Sequence, residues 1–272
     1  MKALIVALAC LTSVTVSGTG VSYLQSRQTG GGGFAEPGGP PSPQLTAYAV
    51  LGLRAAGAWP RAGTLAYLQS HEDELTDLTD VELAAMAQRT LGGRPDRLLA
   101  RIQRQQHQNG SIGSNVGSTV WGIIALRQLG RRAPRGAVRY VLRHQAGSGG
   151  WSWYAGVQPD SNDTAATVEA LRSTGVGGRS VRRALAYLRH LRNRDGGFEL
   201  TPGRGSDAQS TAWAIQAFLA AGKLAPPGSL RYLRRLRRPD GSFRYSARYV
   251  TTPVWVTSEV LPALARKPFP LR

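Results

Sequence analysis

Val141-Leu142-Arg143-His144-Gln145, followed by Gly149-Gly150-Trp151, is the stretch that decides how this chain folds. An aliphatic residue closes a short helical run, a glutamine stands four residues on, and a Gly-x-apolar triplet follows. The same arrangement returns as Leu24, Gln28 and Gly32-Gly33-Phe34, and as Ile102, Gln106 and Gly110-Ser111-Ile112. Two more copies keep the turn and carry arginine for glutamine: Arg192 before Gly196-Gly197-Phe198, and Arg237 before Gly241-Ser242-Phe243. A sixth run ends at Leu68, but Glu72-Asp73-Glu74-Leu75 stands where its triplet belongs. The closing aliphatics fall at 24, 68, 102, 141, 188 and 233, spacings of 34 to 47 residues. Self-similarity at such a period marks stacked supersecondary units.

After each turn comes a second run with helical apolar spacing: Leu45–Ala56, Val81–Leu91, Thr119–Leu129, Thr164–Thr174, Thr211–Ala221 and Val254–Ala265. Five of them stop at Gly57, Gly92, Gly130, Gly175 and Gly222, as helix C-termini do. Each unit therefore reads helix, Gly-rich turn, helix, stop, and six units make about twelve helices. A lone hairpin cannot bury its apolar face, whereas stacked hairpins can, as an open solenoid or a closed ring. Periodicity leaves both open. No interdomain linker interrupts the 272 residues, so residues 21–272 read as one domain. The segment from Lys267 to Arg272 carries two prolines, is not helical, and either packs on the domain or hangs free.

The N-terminus has the form of a secretory leader: Met1-Lys2, an apolar run from Ala3 to Val16, and the small residues Ser17-Gly18-Thr19-Gly20. Residues 1–20 are assigned to it, and a secreted or periplasmic location is expected. Cys10 is the only cysteine, so a chain cut after Gly18 has no disulfide and no thiolate metal site. The formal charge is +18, almost all of it arginine, since lysine occurs only at Lys2, Lys223 and Lys267. The arginines follow helical periodicity, as in Arg135, Arg139 and Arg143, Arg182, Arg183 and Arg189, and Arg231, Arg234 and Arg235. They form either solvated faces or a surface for an anionic cell envelope; nucleic acid is not an expected partner of an exported chain.

The repeated Tyr23-Leu24-x-x-x-Gln28 with Gly32-Gly33-Phe34 is similar to the QW motif of squalene cyclases and related prenyltransferases. The resemblance covers essentially all of the chain beyond the leader. It implies an all-α fold, an α/α toroid (α6/α6 barrel) of six helical-hairpin repeats, with the Tyr-Leu helices outside and the second helices around a central cavity. In that family the glutamine bonds the start of a neighbouring helix. Arginine cannot accept a hydrogen bond, so the last two turns are expected to be held by donation to a helix C-terminus.

The zinc-dependent prenyltransferase branch needs Cys, Asp and His around one metal. Here Cys10 lies in the leader, and His71, His107, His144 and His190 are spread about one per repeat. No metal or other cofactor is expected. The protonating cyclases carry Asp-x-Asp-Asp-Thr-Ala, which Asp160-Ser161-Asn162-Asp163-Thr164-Ala165 resembles. The position that the family uses as proton donor is Asn162, an amide. Asp160 and Asp163 remain the candidate catalytic acids. Against this stands the recurrence of the pattern as Asp207-x-x-Ser210-Thr211, Asn115-x-x-Ser118-Thr119 and Ser42-x-x-Leu45-Thr46, the composition of helix N-caps.

Nine residues before each terminal glycine stand Tyr48, Leu83, Trp121, Ala166 and Trp213, with Trp255 taking this place in the last unit. Such a belt lines the cavity or packs between helix layers. Glu169 and Glu259, acids in mid-helix, either point into the same space or are solvated or paired, and the candidate ligand-binding set is Tyr48, Trp121, Glu169, Trp213 and Trp255. The favoured expectation is an exported toroid that binds an apolar or amphipathic, isoprenoid-like molecule without cyclase turnover. The alternatives are an isoprenoid cyclase using Asp163 or Asp160, and an envelope- or protein-binding scaffold.

Overall fold

Thirteen residues is the length of the second helix in every unit, about 20 Å of α-helix. The computed structural model describes residues 19–271. Helix α1 covers 19–26 of these, followed by α2 (Pro43–Ala55), α3 (Thr64–Ser70), α4 (Leu78–Thr90), α5 (Asp96–Arg104) and α6 (Val116–Gln128). Then come α7 (Arg135–Arg143), α8 (Ser161–Ser173), α9 (Gly178–His190), α10 (Ala208–Ala220), α11 (Ser229–Arg235) and α12 (Pro253–Ala265). The even-numbered helices pack in sequence from α2 to α12, and α12 returns to α2. The stack is thus a closed ring, an α/α toroid, with the odd-numbered helices outside.

The layering follows from composition. Inner helices are covered on both sides and are apolar or small almost all round; α6 buries every residue from Val116 to Leu126. Outer helices bury one stripe: α7 buries Ala137, Tyr140 and Val141 while Arg135, Arg139 and Arg143 are exposed. Several of these arginines also tie units together. Arg143 donates to the Asn109 carbonyl at 2.6 Å, and Arg235, in the same register, to the Asp195 carbonyl at 2.7 Å.

The glycine turn is pegged to the inner helix by a threonine. The amides of Phe34, Ile112, Trp151, Phe198 and Phe243 donate to Oγ1 of Thr46, Thr119, Thr164, Thr211 and Thr257, at 2.8–3.1 Å, all buried. Where the triplet is missing, so is the threonine: Val81 fills its place on α4. A 3-10 turn at Glu72–Glu74 substitutes, with Glu72 accepting from Gln88 at 2.8 Å.

The same turns close the outer layer. Gly32, Gly110, Gly149, Gly196 and Gly241 all have φ between 90° and 99°, where a side chain is disfavoured. A Cβ on any of them would lie 2.4–2.9 Å from backbone of the next outer helix or its cap; for Gly241 that is the carbonyl of Thr19 in α1. Gln28 grips the start of α3, accepting from Arg61 N at 2.7 Å and donating to Thr64 Oγ1 at 2.8 Å. Arg192 donates to the Pro227 carbonyl just ahead of α11, and Arg237 to Thr19 Oγ1 in α1. The expected donation to a helix C-terminus is therefore corrected. Acceptors ahead of a helix are free of intrahelical bonds and lie where the glutamines reach.

The leader assignment lies outside the described residues except for Thr19 and Gly20, which belong to α1. No helix among the described residues is long and apolar enough to cross a membrane.

Candidate functional site

The threonine pegs set one register for all inner helices, and the register sorts side chains by layer. Two residues before the peg stand Gln44, Thr79, Gly117, Asn162, Gln209 and Trp255. Two residues after it come Tyr48, Leu83, Trp121, Ala166, Trp213 and Glu259. Three further on are Leu51, Met86, Ile124, Glu169, Gln216 and Pro262. These positions are i, i+4 and i+7, a single helical face. That face points to the ring axis: Trp121 on α6 and Trp213 on α10 meet edge to face at 5.5 Å although α8 stands between their helices. Ala166 on α8 leaves the room.

The upper layer, at the N-terminal ends of the inner helices, is open. Gln44, Tyr48, Asp80, Trp153, Asn162, Asp163, Gln209 and Trp255 are half-buried around a recess, whose floor is Trp121, Ala166, Trp213 and Glu259, each 4–6% exposed. Tyr48 and Trp255 pack at 4.3 Å, tilted by 37°. Glu259 accepts from Gln209, from Trp213 Nε1 at 3.2 Å and from Trp255; burial, only partly offset by these donors, pushes its carboxyl up to about 7. Burial also raises Asp80, against a hydrogen bond from Gln44.

Asp160 and Asp163 sit at the same end. Asp160 is the N-cap of α8, its Oδ1 accepting from Asp163 N at 2.8 Å. Ser42, Asn115 and Asp207 cap α2, α6 and α10 in the same way. Burial, then the charge of Asp160 beside it, push the Asp163 carboxyl up to about 8. At neutral pH it keeps its proton, which it shares with Asp160. Trp153 lies over Gly117, where a Cβ would meet its ring at 2.3 Å, and accepts the first amides of α6 with its carbonyl.

The lower lumen is closed by 266–271. Phe269 packs its ring at 6.4 Å from Trp121 and 6.0 Å from Trp213, donates its amide to Glu169 Oε2, and leaves Leu271 N to bond Gln128 Oε1 at 2.8 Å. A second cavity, of about 420 Å³, opens on the surface between the C-terminal ends of α6 and α8, away from these acids. Its Arg127 is already engaged with the Ser173 carbonyl. Among the described residues no three His, Cys, Asp or Glu side chains stand close enough to share a metal ion.

The candidate residues thus divide. Tyr48 and Trp255 line the mouth with Asp160 and Asp163; Trp121 and Trp213 form the middle; Glu169 faces the tail. The belt place given to Trp255 is occupied by Glu259, and Trp255 stands one turn nearer the mouth. α12 has no terminal glycine to count back from; its peg, Thr257, sets the register. That peg is the signal that would have found Gln209. Phe269 had none.

Comparison with solved structures settles the architecture. The type II terpene cyclase MstE from Scytonema matches with a TM-score of 0.72 over 94% of this chain and 98% of its own, at 16% identity. The fold is the α/α toroid of the type II terpene cyclases. A MstE variant in complex with its substrate, geranylgeranyl dihydroxybenzoate, matches with a TM-score of 0.66 at 15% identity, over 94% and 97% of the two chains. A glycosidase shares the ring (14% identity, TM-score 0.63, 94% and 97% covered), so the toroid alone assigns no chemistry. Two curated relatives are drimenyl diphosphate synthases. That from Streptomyces showdoensis is 39% identical over 125 residues, 40% of this chain and 22% of its own length. That from Streptantibioticus cattleyicolor is 37% identical over 81 residues, 28% of this chain and 15% of its own. This chain spans about a fifth of the length of the first relative. No family model matches it.

Proposed function

We propose that this chain is a terpene cyclase-like toroid that binds an apolar, isoprenoid-like molecule through the open mouth of its ring and does not cyclise it. The observation that carries the reading is Asn162. It occupies the place in Asp160–Ala165 that resembles the proton donor of the cyclases, and a carboxamide has no proton acidic enough for an alkene. Ordinary general-acid assistance of ~10²–10⁴-fold does not replace it. The aromatics of the mouth and middle, Tyr48, Trp255, Trp121 and Trp213, suit an apolar chain, and MstE, of like fold, holds a geranylgeranyl compound. Tryptophan fluorescence during titration with geranylgeraniol tests binding. Product analysis after incubation with squalene and geranylgeranyl diphosphate tests turnover. A fluorescence response with the ligand recovered intact supports the proposal; no response refutes it.

A second reading, a cyclase with Asp163 as its acid, is favoured by the proton that Asp163 retains at neutral pH. A cyclised product that disappears in Asp163→Asn would decide for it. An extracytoplasmic location is also proposed, from the apolar run at 3–16; N-terminal sequencing of the chain recovered from cell fractions tests that.

A further inference from the structure

Two polar groups in the lower lumen lack partners. Gln216 is wholly buried, and neither its Nε2 nor its Oε1 meets a hydrogen-bonding atom. Glu169 is wholly buried too, and its Oε1 is equally alone. Gln216 lies one turn beyond Trp213 on α10, and Glu169 one turn beyond Ala166 on α8, so both face the axis. What fills the lumen beside them is the hydrocarbon ring of Phe269. It occupies the space and leaves the polar lining unsatisfied, although buried polar groups are as a rule hydrogen-bonded. The acid of the layer above differs: Glu259 receives three donors. The segment 266–271 therefore fills the lower lumen but satisfies only part of its polar lining: Glu169 Oε2 and Gln128 Oε1 are bonded, whereas Glu169 Oε1 and the Gln216 amide are not.

Charge narrows what would fit better. The chain carries +18 overall, yet none of the residues in the three axial layers is lysine or arginine. The inner-helix arginines Arg54, Arg89, Arg127 and Arg172 all lie beyond the deepest of them; Arg89 is exposed, and the other three donate to the carbonyls of Ala58, Ser173 and Ala220. A phosphate in the lumen would meet Glu169 and Glu259 with no counter-charge.

We propose that the lower lumen around Glu169 and Gln216 is a ligand subsite, which 266–271 occupies until displaced, and that its ligand is an apolar molecule ending in a neutral hydroxyl rather than a phosphate. This deepens the binding function proposed above and rests on it. The hydroxyl donates to Gln216 Oε1 and accepts from Glu169, whose carboxyl burial keeps protonated. Displacement breaks the two hydrogen bonds donated by the amides of Phe269 and Leu271 and frees one aromatic ring, the kind of small segment that opens locally.

The test titrates geranylgeraniol and geranylgeranyl diphosphate into the wild-type chain, Phe269→Ala and Gln216→Leu, read by tryptophan fluorescence. Amide hydrogen exchange over 266–271 is followed in parallel. Phe269→Ala should bind the alcohol roughly tenfold more tightly, because the competing plug is weakened. Gln216→Leu should bind it about tenfold more weakly while melting no lower than wild type, since it removes an orphaned amide. The amides of Phe269 and Leu271 should exchange faster as alcohol is added, and the diphosphate should bind at least about tenfold more weakly than the alcohol. If Phe269→Ala does not fold, Gln216→Leu and the exchange data decide. Binding of the alcohol with equal affinity to every variant, and unchanged protection of 266–271, would overturn the subsite and leave the mouth-binding function standing. Equal binding of the diphosphate would overturn the neutral ligand. Absence of binding by all three proteins refutes the proposed function and the subsite with it.

Discussion

Replacing Asp163 by asparagine should stabilise the protein most at pH 8, less at pH 6 and hardly at all near pH 4. Burial and the neighbouring Asp160 charge hold the Asp163 carboxyl at about 8 in the fold, against an ordinary 3.8. Between those values the folded chain keeps a proton that the unfolded chain has lost. Stability is therefore fully present at low pH and falls as pH rises toward 8. At about 1.4 kcal/mol per pH unit, the wild type loses about 2 kcal/mol between pH 6 and pH 8 from this group. Partial solvation of the site and sharing of the proton with Asp160 reduce that to about 1 kcal/mol. Asparagine mimics the protonated acid: its Nδ2 donates to Asp160, and its Oδ1 accepts from the Trp153 amide, the two contacts that Asp163 makes. It removes the charge without disturbing either.

The gain in Tm should be about 2–4 °C larger at pH 8 than at pH 6, and should shrink to nothing near pH 4. Glu259 at about 7 and Asp207 at about 6 titrate in both proteins and cancel from the difference. Thermal melts of the two proteins by circular dichroism at pH 4, 6 and 8 measure it. A variant no more stable than wild type at pH 8, or a gap that does not narrow steadily toward pH 4, would refute the protonated Asp163–Asp160 pair.

Thr164→Val removes the buried acceptor of Trp151 N and should cost about 1–3 kcal/mol, read as a lower denaturant midpoint with unchanged slope. Gln28→Ala, which strips bonds to Arg61 and Thr64, should cost about 1–3 kcal/mol. Arg192→Ala, an exposed donor in the equivalent place, should stay within about 0.5 kcal/mol; equal costs would mean that the two residues do the same work. Gly117→Ala drives a methyl into the Trp153 ring, and should cost about 1–3 kcal/mol and red-shift the tryptophan emission as Trp153 leaves the mouth.

The ring was legible because its unit is local. Gly32-Gly33-Phe34 and its copies place a positive-φ glycine, a buried aromatic or isoleucine and a pegged amide within a dozen residues of the helix they start, and each element advertises itself. Closure was not legible. It depends on α12 meeting α2 and on Gly241 meeting Thr19, contacts between distant parts of the chain that no period records. The lumen was half legible: spacing found Tyr48, Trp121 and Trp213, and misplaced the register of α12, which has no terminal glycine to count back from. The tail from Arg266 to Leu271 has no repeat and no period, so its burial against Trp121 and Trp213 follows only from the cavity that the other helices leave.

The cyclase question turns on layout more than on one missing acid. The lumen-facing place at the mouth is held by Gln44, Thr79, Gly117, Asn162, Gln209 and Trp255, none of them ionisable. Asp80 and Asp163 stand one residue later, about 100° around their helices. The proton of Asp163 already bridges to Asp160, whose other task is to cap α8. Giving that proton to an alkene would leave two carboxylates side by side, and the charges that bear on Asp163 include no cation to compensate. An acid held by such neighbours is weak, whereas alkene protonation demands a strong one. The cation-free axis that argues against turnover also argues against a diphosphate, so one feature of the ring supports both parts of the proposal, binding without cyclisation and a ligand without phosphate.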